Sequence, residues 1–148
     1  MMMMTDAVTL TNEAMLELCN LYYDKKTFEH AKRVANKARD IARFFGLSYD
    51  YYFIYQLGLA HDLYEDTDIK KDTWFDKKFE KNLSLLTREK DIYYNDYIAQ
   101  IYAMAKNNPE YMPAYIVKLA DMYDHLTETD TLTEELKEKY LAAIAYLF

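Results

Sequence analysis

Three histidines and a handful of acids carry the chemistry open to this chain. His30 stands near the start of one helical stretch, and His61 is followed directly by Asp62 at the close of an apolar one. Neighbouring residues on a helix point about 100° apart, yet at a helix end both side chains reach one cation lying against that end. A carboxylate closing an apolar helix is costly to bury alone, so Asp62 needs a partner. Glu65 and Asp66 come three and four residues after Asp62, and a continued helical turn puts them on one face with His61 and Asp62. Ionised acids crowded in this way repel one another, and a divalent cation removes the repulsion. Imidazole and carboxylate donors suit Mn²⁺, Fe²⁺, Zn²⁺ or Co²⁺.

A further acid, Asp121, closes the apolar run IVKLAD at 116–121 in the manner of Asp62. His125 lies four residues on over the same face, and Lys118 three residues before it, within reach of a phosphate. Taken singly, each has an ordinary explanation: a core or exposed histidine, a solvated acidic loop, an i,i+3 surface pair. Their order, spacing and apolar flanks together point to a metal site.

His30, then His61-Asp62, then a distant Asp121 have the order of the HD phosphohydrolase superfamily, whose all-helical fold holds a metal with H…HD…D. Within it, HDLYEDT at 61–67 is similar to HDxxED(T), and VKLADMYDHL at 117–126 to VKLADxxxNL, of the Rel/SpoT-type alarmone hydrolases and their small relatives. LLTREKDIYYNDYI at 85–98 resembles a segment that lies between those motifs. HDxxED followed by KLAD about 55 residues on is a fairly specific combination. The resemblance implies hydrolysis of the 3′-pyrophosphate of (p)ppGpp, usually with Mn²⁺. It implies His30, His61, Asp62 and Asp121 as metal ligands, and Glu65 and Asp66 as the pair that positions and activates the attacking water. Tyr140 corresponds to a tyrosine of the nucleoside pocket, and Lys25 or Lys26 to a basic residue ahead of the first histidine. Two departures concern the substrate: the glycine and prolines usual around the first histidine are missing from DKKTFEHA at 24–31, and His125 replaces asparagine.

Several helices must position these residues. One is expected from Thr11, a second from near Thr27 to the αL stop Gly46, and a third, apolar nearly all round, over about 49–61. Gly58 inside the third permits close approach of another helix. An irregular or short-helical stretch is expected over 66–81, then helices at about 81–86, 95–105, 113–126 and 133–147, the last capped by Thr131 or Thr133. The second should turn Ala31, Val34, Ala35, Ala38 and Ala42 inward, and Arg33 and Lys37 outward. The expected architecture is an all-α, compact HD-domain bundle of about six to eight helices, one domain over 1–148 with 1–10 as a disordered N-terminal segment.

Composition agrees. Of 148 residues, 51% are hydrophobic and 16 are tyrosines, enough for a core, while two glycines and two prolines are too few for the turns of a β-sandwich. A formal charge of −7 disfavours nucleic-acid phosphate and anionic membranes as partners. Lone Cys19 cannot form an internal disulfide, and no apolar run is long enough to span a bilayer, so a reducing cytoplasm is the expected setting. The expected partner is a small nucleotide, with the alternatives of another nucleotide substrate or a catalytically silent binding module.

Overall fold

Thr11 opens the first helix: its hydroxyl accepts the Ala14 N–H at 3.0 Å, satisfying a donor that a helix start otherwise leaves orphaned. The computed structural model describes residues 10–44, 46, 51–71, 75–128 and 132–147, with only the backbone of 146 and 147. The expected disordered segment therefore lies outside the described residues except for Leu10, whose carbonyl accepts the Gln56 side-chain amide at 2.7 Å. In chain order the helices are α1 (Asn12–Tyr22), α2 (Lys25–Phe44), α3 (Tyr51–Ala60), α4 (Leu63–Asp66), α5 (Lys77–Leu86), α6 (Tyr94–Asn107), α7 (Met112–Thr127) and α8 (Glu134–Leu147), with a 3₁₀ turn at Pro109–Tyr111. Among the described residues there is no strand, and no helix is long and apolar enough to cross a membrane.

α2 starts two residues before the expected Thr27 because the Asp24 carboxylate caps it, accepting the Thr27 N–H at 2.8 Å. That shift seats His30 in the second turn, past the frayed end. α5 likewise extends further back, to Lys77, because Asp76 accepts the Phe79 N–H at 2.9 Å. The Asp- and Lys-rich composition of 66–81 conceals that cap. Thr133 is the residue that caps α8, by its bond to Leu136 N–H; Thr131 lies outside the described residues.

α3 is the axle of the bundle. Its Ile54, Leu57, Leu59 and Ala60 are fully buried, and α2 lies along it through Ala31, Val34, Ala35, Ala38 and Ala42, all likewise buried. Small side chains on α2 and Gly58 on α3 set the distance: a Cβ on Gly58 would stand 2.7 Å from the Ala35 Cα. α7 packs across both, buried along Ile116, Val117, Ala120 and Met122. Buried Asn82 of α5 ties this layer together, accepting from Ala114 N–H and donating to the Glu110 carbonyl, each at 3.1 Å. α8 covers the open edge, touching α6 and α7. α2, α3 and α7 thus pack against one another, and α2, the turn after α3 and α7 each bring a candidate site residue to their meeting point.

Candidate metal centre

Where α3 ends, the chain turns at His61 and Asp62 before the single turn of α4. The His61 Nδ1–H donates to the Gly58 carbonyl at 2.6 Å, so that in the neutral ring the lone pair is on Nε2. Tyr23, buried between α1 and α2, holds the same turn: its hydroxyl donates to the Leu59 carbonyl at 2.8 Å and accepts the Asp62 N–H at 3.2 Å. From α2, His30 gives Nδ1 to Asp124 at 2.7 Å and turns Nε2 inward. Asp121 on α7 completes the group.

The four expected ligands converge. His30 Nε2 is 2.9 Å from Asp121 Oδ1 and 3.8 Å from Asp62 Oδ2; His61 Nε2 is 3.3 Å and 3.2 Å from the same two oxygens. Donors bonded at about 2.0–2.2 Å to one ion stand roughly 3–3.5 Å from each other, so this set has the span a divalent cation needs. Both imidazoles are fixed in the Nε2-ligating tautomer by a partner on Nδ1, the arrangement that orients metal-binding histidines. Two nitrogens and two carboxylate oxygens, largely removed from water, fit such an ion in chemistry as well.

Charge is balanced locally. Burial alone would push the His30 and His61 imidazoles down, but the carboxylates of Asp121 and Asp124 raise His30, and those of Asp62 and Asp121 hold His61 well above the usual histidine value. Burial would raise the carboxyls of Asp62 and Asp121; His61 lowers the first, and Lys118 with His61 carries the second well below the ordinary range. Lys118 does so from inside the protein. The residue is 6% exposed, and its ammonium is 2.9 Å from Asp121 Oδ2 and 4.9 Å from the centre of the Tyr97 ring. It backs Asp121 directly and does not open onto the surface.

Two supporting residues escape sequence reasoning. Asp124 is fully buried and gathers His30 Nδ1, Arg33 Nε at 3.0 Å and Lys37 Nζ at 2.7 Å, which overcome the effect of burial and hold its carboxyl far below the usual range. Arg33 and Lys37, expected to point outward, reach over to α7 instead. Asp124 lies three residues after Asp121 and could have been found on the same helix face. Tyr23 gives no such hint among 16 tyrosines.

The other expected residues surround this core. Lys25 and Lys26, both exposed, line a cleft of about 450 Å³ with Glu29, His30, Arg33 and His125. The His125 ring stacks on Tyr140 of α8, 4.7 Å between centres and 8° between planes. Glu65 and Asp66 stand on α4, exposed, beside a second cavity of about 550 Å³ that Lys71 and Arg88 also line. Partial loss of hydration against the neighbouring chain and the charge of Asp62 raise both carboxyls, so each holds a proton more readily than a free acid. Arg88, and Lys139 with its ammonium 4.1 Å over the Tyr94 ring, add positive charge on this side.

No protein-family model matches the chain, and no curated protein is similar to it in sequence. Among solved structures it is similar to one described as a metazoan ortholog of SpoT that hydrolyzes ppGpp and plays a role in starvation responses. The TM-score is 0.65 at 18% identity, over 95% of this chain and 86% of that one. The two chains share a compact all-α fold. His30, His61, Asp62 and Asp121 come together on a scaffold whose overall course is similar to that of the described ppGpp hydrolase.

Proposed function

We propose that this protein is a metal-dependent pyrophosphohydrolase of the HD superfamily acting on the 3′-pyrophosphate of guanosine alarmones. The observation that carries the reading is the convergence of four ligand atoms from α2, the α3–α4 turn and α7, with Glu65 and Asp66 one turn beyond. A divalent cation held by His30, His61, Asp62 and Asp121 supplies Lewis acidity, making water a better nucleophile and stabilising charge on phosphoryl oxygens.

The chain's own groups do the rest. In the reaction, the oxygen of water bonds to the phosphorus attached to the ribose 3′ oxygen, the P–O3′ bond breaks and pyrophosphate leaves. The proton lost by water balances the one gained by O3′. Glu65 and Asp66, with raised proton affinity, hold the water and take its proton. Lys25 and Lys26 meet the phosphates along the cleft, and Tyr140 presents a ring to the nucleoside, with His125 stacked on it as a further substrate contact. Lys118, committed to Asp121, offsets substrate charge through its field from behind. A small anionic nucleotide drawn in by the cation and these lysines fits a chain of formal charge −7, which repels longer polyanions.

The test is a panel assay with Mn²⁺ on ppGpp, pppGpp, their adenosine equivalents, NADPH, deoxynucleoside monophosphates and cyclic nucleotides. Pyrophosphate release from ppGpp, lost in Asp62→Ala together with bound metal, is the expected result. Turnover of deoxynucleoside monophosphates without ppGpp would assign the site to another nucleotide. Bound metal with no turnover of any would make the protein a binding module.

A further inference from the structure

His125 stands closer to the metal centre than a substrate contact requires. It lies one turn after Asp121 on α7, and its Nε2 is 3.3 Å from Asp121 Oδ1. That oxygen already faces His30 Nε2 at 2.9 Å and His61 Nε2 at 3.3 Å, and the other oxygen of Asp121 is taken by Lys118. Three imidazoles from α2, the α3–α4 turn and α7 therefore aim the same ring nitrogen at a single carboxylate oxygen. Hydrogen bonding leaves this arrangement unbalanced: one oxygen offers two lone pairs to three N–H donors, and neutral imidazoles would turn lone pairs towards it. A cation among the nitrogens and the oxygen gives every one of them a partner. The ligand atoms of His30, Asp121 and His125 lie within 4.8 Å of one another, as do those of His30, His61 and Asp62, so the two groups share His30 and adjoin.

We infer that His125 is a fifth ligand to the cation of this site, making a centre of three imidazoles and two carboxylates that prefers later first-row divalent ions over Mn²⁺. The inference rests on the metal centre of the proposed function and adds a ligand to it. Each imidazole raises affinity for Fe²⁺, Co²⁺, Ni²⁺ or Zn²⁺ more than for Mn²⁺, which is content with oxygen donors. An asparagine, the residue the resemblance leads one to expect here, offers no such nitrogen. Stacking on Tyr140 holds the His125 ring in this orientation.

Metal-free full-length protein is titrated with Co²⁺ and, separately, with Mn²⁺, in the parent, His125→Asn, His125→Gln and His61→Ala, with helical content checked by circular dichroism. His125 is half-buried at the bundle's edge, so both its variants are expected to fold. The parent binds Co²⁺; loss of the third imidazole weakens Co²⁺ by about tenfold or more, the scale on which even outer partners of a metal site act. Mn²⁺ binding falls less, and the visible d–d bands of the Co²⁺ form shift in position and intensity. Unchanged Co²⁺ affinity and spectrum in both His125 variants, with binding abolished in His61→Ala, would overturn the fifth ligand and leave the metal centre standing. Equal losses for the two metals with unchanged d–d bands would make His125 a positioning residue and also overturn the inference. A parent that binds neither ion would remove the metal centre itself, and the fifth ligand with it.

Discussion

The two sides of the site are built to different standards. On the inner side every ligand has a second partner: His30 on Asp124, His61 on the Gly58 carbonyl, Asp62 through its N–H on Tyr23, Asp121 on Lys118. Those partners come from helices packed through buried alanines and a glycine, so the ligand geometry is a property of the core. On the outer side, Glu65 and Asp66 occupy a helix of four residues, and Lys25 and Lys26 stand exposed at a helix start. All four side chains are exposed. The contrast separates what must be rigid, a set of donors whose spacing decides whether an ion binds, from what adapts to a substrate.

Substitution on each side tests the contrast. On the outer side, Glu65→Ala should lower turnover of the substrate found by the panel assay by roughly 10²–10⁴-fold, the usual contribution of a positioned acid or base. Metal content and thermal stability should stay near those of the parent; a matching loss of metal would put Glu65 on the inner side. Asp124→Asn removes the charge that aligns His30 and should weaken metal binding by about 10–100-fold, read by titration calorimetry, with a smaller change in helical content. Equal affinity would show that His30 is oriented without it.

Gly58→Ala attacks the packing beneath the inner side. The new methyl meets backbone of Ala35, which cannot rotate away, and such overpacking costs about 1–3 kcal/mol. In a chain of this size that is a fall in Tm of roughly 3–10 °C, measured by circular dichroism. Cys19 reports on the same packing more gently. Burial pushes its thiol up to about 12, from an ordinary value of 9.0, so it should resist thiol reagents at pH 8 until the fold opens. The sign follows from the direction of the shift: the stability contributed by the buried neutral thiol is complete below pH 9 and is lost as pH rises from 9 towards 12. Rapid labelling at pH 8 would show α1 and α3 parting locally.

Much of this was legible in the sequence. Helical period and scarcity of turn residues give the all-α class, Gly46 does adopt a positive φ of 63°, and Gly58 does admit a neighbouring backbone. His30, His61, Asp62 and Asp121 could be chosen because their spacing resembles a known ligand pattern. What stayed hidden is the support. Arg33 and Lys37 read as solvent-facing on a helical wheel, and only the fold brings them to Asp124, some ninety residues away along the chain. The starts of α2 and α5 depend on single aspartate caps, Asp24 and Asp76, inside stretches whose lysines and acids suggest irregular chain. The break at His61 and Asp62 also separates Glu65 and Asp66 from α3, where an unbroken turn would have aligned all four.

Tyr23 sets a limit on how the site can be divided. Its hydroxyl bridges the Leu59 carbonyl of α3 to the Asp62 N–H, and the Cys19 thiol donates to the same carbonyl at 3.5 Å. Both residues precede the helix that carries the first ligand. A trimmed or transplanted version beginning at Lys25 would keep every proposed ligand while losing the clamp that fixes the turn between His61 and Asp62. The smallest portable unit of this centre therefore begins within α1, and its boundary is drawn by a phenol and a thiol that take no part in the chemistry.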